Sequence, residues 1–147
     1  MDKKNQLINQ AIKYHSQGNI LEAEKHYKNC LDNGINDPII FSNYGLILEG
    51  LGKLKEAESL TRKAIDLNPE LGNAHINLGS ILKSLGNLSE AEILTRRAIE
   101  LKANLGLAYS NLGGILQDLG KLQEAESATR KSIEIDSNFA DCLAFIF

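Results

Sequence analysis

Gly86-Asn87-Leu88-Ser89-Glu90-Ala91-Glu92 is one of four versions of the same seven residues. The others are Gly18-Asn19-Ile20-Leu21-Glu22-Ala23-Glu24, Gly52-Lys53-Leu54-Lys55-Glu56-Ala57-Glu58 and Gly120-Lys121-Leu122-Gln123-Glu124-Ala125-Glu126. The glycines, and with them Ala23, Ala57, Ala91 and Ala125, advance in steps of 34 residues with no insertion. A fixed period of this size marks stacked supersecondary units, each too small to bury an apolar face alone. The chain is therefore expected to be an all-α solenoid.

On either side of each glycine the apolar residues recur at helical spacing. In the third unit Ala74, Leu78, Ile81, Leu82 and Leu85 form the stripe of a first helix. Gly86 is placed to end it, since glycine enters the left-handed conformation that closes a helix without a Cβ clash. Ala91, Leu94, Thr95, Ala98, Ile99 and Leu101 then mark the inward side of a second helix. Ser89 and Glu92 have the spacing of a capping box that would start it. Glutamates cluster in that first turn, where the helix dipole favours them. Glu58–Arg62, Glu92–Arg96, Glu126–Arg130 and Glu24–Lys28 are i,i+4 pairs worth about 0.2–0.5 kcal/mol each. The recurring Thr-Arg-Lys/Arg at 61–63, 95–97 and 129–131 reads as a solvated, salt-paired face, with an anion-binding row as the alternative. Ala57, Ala91 and Ala125 fall where the helices of one unit approach closely, and Ala64 and Ala98 where neighbouring units meet. Counted from Lys4, the repeats span 4–37, 38–71, 72–105 and 106–139 of a single solenoid over 1–147.

Bulk properties exclude several function classes. With 43% apolar and 24% charged residues the chain has the makeup of a folded protein. A net charge of -3 and a pI near 5.6, with cations interleaved among glutamates, argue against nucleic-acid binding. No apolar run approaches the roughly 20 residues of a membrane span, so no membrane insertion is expected. The charged start Met1-Asp2-Lys3-Lys4 lacks the apolar block of a signal peptide, which makes a cytoplasmic location the expectation. Cys30 and Cys142 lie at opposite ends of the array, so each is expected as a small apolar residue and not as half of a disulfide.

Laid out this way, the chain resembles the tetratricopeptide-repeat family over nearly its whole length. The family pattern is aromatic, Leu-Gly, aromatic, then Ala, aromatic, Ala and Pro at fixed spacing. Phe41, Tyr44-Gly45, Leu48, Ala57, Ala64 and Pro69 carry it in the second unit. His75, Leu78-Gly79, Leu82, Ala91 and Ala98 carry it in the third, and Tyr109, Leu112-Gly113, Leu116, Ala125 and Ser132 in the fourth. The first unit departs, with Gln10-Ala11 for Leu-Gly, but keeps Tyr14, Ala23 and Tyr27. Thr61, Thr95 and Thr129 stand where the family has an aromatic, so Leu60 and Leu94 are expected to fill that space.

The resemblance implies antiparallel helix pairs stacked into a right-handed superhelix, with the first helices lining a concave face where extended peptides dock. Mapped onto that face, Asn9, Asn43, Asn77 and Asn111 occupy one equivalent place, again 34 residues apart. Ser42, Ile76 and Ser110 flank them, and Asn73 lies one turn earlier. A carboxamide donates and accepts, so it pairs with a peptide bond whatever the side chain. The column is similar to the asparagine ladder of the O-linked N-acetylglucosamine transferase repeat domain. Two readings stay open: contact with a ligand, or bridging of neighbouring first helices. The cationic clamp of the chaperone-binding members is missing, since its places hold Ile8, Ile12, Asn43, Asn73 and Asn77.

Catalytic chemistry is not recognisable. Gly52-Lys53-Leu54 and Gly120-Lys121-Leu122 lack the Ser/Thr of a phosphate loop. His15, His26 and His75 fall at non-equivalent positions without a metal-ligand cluster, so no metal or cofactor is expected. Residues 140–147 begin a fifth first helix and are strongly apolar, which suggests a lid, or docking to another copy or a further domain. The reading is a non-enzymatic interaction module for a protein or peptide partner. Its alternatives are the substrate-reading arm of a larger transferase-type enzyme and a self-assembling scaffold.

Overall fold

The computed structural model describes the backbone over residues 2–146 and side chains over 2–137. Among the described residues the elements are eight helices and no strand: α1 (Lys3–Ser16), α2 (Ile20–Asp32), α3 (Pro38–Gly50), α4 (Leu54–Leu67), α5 (Gly72–Ser84), α6 (Leu88–Glu100), α7 (Leu105–Asp118) and α8 (Leu122–Ile146). Odd and even helices are the first and second members of successive pairs, which is the all-α helix-pair solenoid class. Contacts divide the chain into one unit ending at Pro69 and one beginning at Glu70. In the first unit α1 packs on α2, α2 on α3, and α3 on α4; in the second α5 packs on α6, and α7 packs on α5, α6 and α8.

Each pair turns on the glycine of the repeated seven-residue stretch. Gly18, Gly52, Gly86 and Gly120 have φ of 72, 77, 85 and 77°. At Gly86 the amide of the glycine donates to the Lys83 carbonyl (3.0 Å) and the amide of Asn87 to the Leu82 carbonyl (2.9 Å). These are the two bonds of a Schellman ending, and they satisfy carbonyls that the last helical turn leaves open.

The capping box does not form. α6 starts at Leu88 with Asn87 as its cap, so Ser89 is already inside the first turn. Asn87 donates through Nδ2 to Glu90 (3.1 Å), while Glu92 turns to Arg96 (3.0 Å) and Lys121 (3.1 Å). Side-chain caps occur elsewhere: Asp2 accepts from the Asn5 amide (2.8 Å), and Asp37 accepts from the Ile39 amide (2.8 Å) ahead of Pro38. The i,i+4 pairs Glu58–Arg62 and Glu126–Arg130 are present, whereas Glu24 reaches forward to Lys53 on the next hinge.

The threonines correct a second expectation. Thr61 and Thr95 are fully buried, while Leu60 and Leu94, expected to take their place, are only half-buried. Each buried hydroxyl donates to a carbonyl one turn back, Thr61 to Ala57 and Thr95 to Ala91, both at 2.8 Å. Facing them are Gly45 and Gly79, where a Cβ would lie 2.2 Å from Thr61 Oγ1 and 2.4 Å from Thr95 Oγ1. Gly113 stands in the same way 2.5 Å from Thr129 Oγ1, but Thr129 is exposed. In the first pair the glycine is Ala11 and the threonine is Tyr27, whose ring runs on to stack on Tyr44 at 6.0 Å. Gly–Thr is thus a compact version of the helix crossing.

Small residues also recur at a second buried position. Cys30, Ala64 and Ala98 are fully buried at one repeat position, and Ser132 follows them, donating to the Gly106 carbonyl at 2.8 Å. Cys30 is therefore the small buried residue anticipated, and burial pushes its thiol pKa up. Ala98 packs with Ile76 of α5 and Ala108 of α7. At its far end α8 runs without a break to Ile146, where a separate fifth first helix was expected from Ala140. Cys142 and the apolar side chains of 140–147 lie outside the described residues.

Candidate functional site

The asparagine column sits on the first helix of every pair: Asn9 on α1, Asn43 on α3, Asn77 on α5 and Asn111 on α7. Asn9 is exposed and the other three are half-buried. Asn73 and Ser110 are exposed beside them. Ser42 and Ile76 do not share that surface. They are 3% and 2% exposed, and Ile76 belongs to the α5–α6–α7 core. Successive residues on a helix diverge by about 100°, so a neighbour in sequence readily falls on the buried side. A ligand that met the column would not reach these two.

In the first unit the column is tied to a half-buried polar chain. His15 Nδ1 lies 2.8 Å from Tyr27 Oη, and Tyr27 is also hydrogen-bonded to Asn43. Burial pushes the Tyr27 hydroxyl up to about 12, against the Asn43 bond, which lowers it. A neutral His15 accepting from Tyr27, and Tyr27 accepting from the Asn43 amide, accounts for every partner. Asn43 is thereby held in one orientation. Two exposed apolar residues, Ile39 and Leu46, lie one turn to either side of it.

His15 gives the first unit a defined acid response. Burial lowers its pKa from the ordinary 6.5. The unfolded chain therefore binds the proton first, so stability is complete above pH 6.5 and is lost as pH falls below it. Thermal melts from pH 7.5 to 5 are expected to show this slope, with His15→Gln flattening it. An equal slope in both proteins would place the titrating group elsewhere.

In the second unit Asn77 and Asn111 lie on helices that pack directly on each other. A cation that the sequence reading passed over accompanies them. Lys83 of α5 crosses Gly114 of α7, its Nζ 3.8 Å from Asp118. A Cβ at Gly114 would meet the Lys83 Cε at 3.3 Å. The signal was the glycine itself, at the place of Ile12, Leu46 and Ser80 in the other repeats.

Arginines and glutamates of the second helices form the salt-paired face anticipated for them. Arg62 and Arg96 are paired with Glu58 and Glu92, and Arg96 also with Glu124 (3.1 Å). Burial pushes Glu92 up, but hydrogen bonds from Lys121 and Arg96 outweigh it and hold the carboxyl below its ordinary value. Among the described residues no group of three His, Cys, Asp or Glu could hold a metal ion, and no helix is long and apolar enough to cross a membrane.

Comparison with known proteins adds to this geometry. A family model described as Tetratricopeptide repeat matches residues 40–71, 72–105 and 106–139. A comparison with curated protein sequences gives no match. Among solved structures, MamA is similar with a TM-score of 0.80 at 20% identity, over 95% of this chain and 81% of that one. The first TPR of Spaghetti (RPAP3), solved bound to the HSP90 peptide SRMEEVD, is 30% identical with a TM-score of 0.73, over 80% of this chain and 94% of that one. The O-GlcNAc transferase of Thermobaculum terrenum is similar with a TM-score of 0.72 at 23% identity, over 79% of this chain and 23% of that one.

Proposed function

Because the chain belongs to the tetratricopeptide-repeat family, we propose that it is a protein-interaction module whose first-helix asparagines hold the backbone of an extended, uncharged peptide segment. The observation that carries this is the column Asn9, Asn43, Asn77 and Asn111, placed on α1, α3, α5 and α7 and not buried at any of the four. Carboxamides at a fixed repeat step match the chemistry of peptide bonds, which is the same whatever the sequence of the ligand. Exposed Asn73 and Ser110 extend the polar surface, and Ile39, Leu46 and Leu107 supply apolar contacts beside it.

The Spaghetti relative supports peptide binding as the type of function, since it was solved with one in place. Its ligand, SRMEEVD, is acidic. The places expected for a cationic clamp here hold Ile8, Ile12, Asn43, Asn73 and Asn77, so the ligand suited to this chain is a neutral segment.

A peptide library panned on the wild-type chain supplies ligands for the test. Each amide-to-backbone hydrogen bond contributes about 0.5–1.5 kcal/mol net. Asn77→Ala with Asn111→Ala is therefore expected to weaken those ligands by about tenfold or more while leaving the thermal melt nearly unchanged. Arg96→Ala, on a second helix, should leave affinity alone. A comparable loss from Arg96→Ala, or none from the double variant, overturns the assignment.

A further inference from the structure

α8 carries a face that the other second helices bury. Thr61 of α4 and Thr95 of α6 are fully buried, whereas Thr129, at the same repeat position on α8, is exposed. Ile65 and Ile99 are half-buried, and Ile99 packs against the cluster of Leu112 and Leu116 on α7. Ile133, their counterpart on α8, is 60% exposed. The difference follows from the chain path. α6 ends at Glu100 and the chain turns back to lay α7 on this face, while α8 runs on to Ile146. In sequence, Thr129, Ile133, Asp136, Ala140 and Leu143 succeed one another at alternating steps of four and three residues, which is the seam spacing of paired helices.

The start of the first unit is built differently. Gln6, Gln10 and Lys13 are exposed on α1. At the same repeat positions α5 carries Ala74, Leu78 and Ile81 and α7 carries Ala108, Leu112 and Ile115, all of them buried. A second copy docking head to tail would set Gln10 and the Lys13 ammonium over Ile133, where α7 brings leucines to Ile99. Burying an amide and a charge on an aliphatic surface costs free energy that leucines do not cost. A second α8 carries no such penalty, because it brings its own Ile133.

Charge on the flank suits the same occupant. Arg96 of α6 binds two carboxylates, Glu92 on its own helix and Glu124 on α8. Arg130 is its repeat counterpart and is held by Glu126, the counterpart of Glu92. Helical spacing puts the exposed Glu134 on the same flank of the seam, one turn beyond Arg130. When two α8 helices cross antiparallel at Ile133, the Glu134 of each comes level with the Arg130 of the other. It then takes the part that Glu124 takes for Arg96. We propose that this face of α8 is a homodimer interface, on which a second copy of the chain lays its own α8 antiparallel, covering Thr129 and Ile133 and pairing Arg130 of each copy with Glu134 of the other.

The test is sedimentation equilibrium of the full chain, which is expected to show a reversible monomer–dimer distribution that shifts with concentration. Ile133→Lys should abolish the dimer and, because the side chain is exposed, leave the thermal melt of the dilute monomer nearly unchanged. Arg130→Glu and Glu134→Arg each set like charges against one another twice, so each alone should weaken the dimer by about tenfold or more. An equimolar mixture of those two variants restores both pairs and should form a heterodimer, which tests the antiparallel register directly. A monomer at every concentration, a dimer that survives Ile133→Lys, or a mixture that stays monomeric would each overturn the proposal. Assembly continuing beyond the dimer would also overturn it, since that requires head-to-tail stacking on α1. The double asparagine variant should sediment as the wild type does, so this proposal and the peptide-binding reading fail separately.

Discussion

Leu78→Ala is expected to lower the unfolding free energy by about 2–5 kcal/mol, the range for emptying a fully packed leucine site. Leu78 is 1% exposed on α5, in a helix whose Ile76, Ile81 and Leu82 are equally buried. Interiors at native density have no slack to close such a hole, so the transfer energy of the lost methyls and the cavity both count. Against a typical total of about 5–15 kcal/mol the loss is large. Equilibrium denaturation should show it as a lower midpoint with an unchanged slope. An unchanged midpoint would mean that the apolar stripe of the first helix is not the core.

Gly79→Ala is expected to be destabilising even though alanine is the better helix former. The helix propensity gain is at most about 1 kcal/mol, while overpacking of a filled site costs about 1–3 kcal/mol. The new Cβ would stand 2.4 Å from Thr95 Oγ1 and 3.4 Å from the Ala91 carbonyl. Thr95 has little room to yield, because it is fully buried, β-branched, and donates to Ala91 at 2.8 Å. The explanation makes a sharper claim about coupling. In a Thr95→Ala background the obstructing oxygen is gone, and Gly79→Ala should become neutral or stabilising. A double-mutant cycle would then give a coupling of about 1 kcal/mol or more. Equal costs in both backgrounds would sink the Gly–Thr account of the helix crossing.

These two sites mark what the sequence made legible. Leu78 was readable because helical spacing alone places it on the inward stripe. The hinges were readable because Gly18, Gly52, Gly86 and Gly120 recur at a constant step, and a positive φ at each is what that position requires. Thr95 was only half legible: its inward position followed from the spacing, but its role depended on a glycine 16 residues earlier. Nothing local to the threonine states that pairing. It is written as Gly45 with Thr61, Gly79 with Thr95, Gly113 with Thr129, and Ala11 with Tyr27. The capping box failed for a different reason. Ser89 has the right spacing from Glu92, but the Schellman ending lets α6 begin at Leu88, one residue before a serine cap could act.

The site was legible as a column and less so in its surroundings. The family resemblance pointed to the face, and a period of 34 picks out Asn9, Asn43, Asn77 and Asn111 on it. Ser42 and Ile76 were added as neighbours in sequence, and the helix turned them into the interior. Lys83 was missed because it reaches the surface of α7 from α5, and a contact between helices has no signature in either one.

The asparagines are the central claim, and their side-chain amides can be watched directly. In a 15N-labelled full chain, the Nδ2 resonances of Asn77 and Asn111 are expected to shift and saturate together as a library-selected neutral peptide is added, at the affinity measured by calorimetry. Resonances of Arg96 and Arg130 should stay in place. Saturable binding that leaves both asparagine amides unmoved, or that moves the arginines of the second helices instead, would contradict the account.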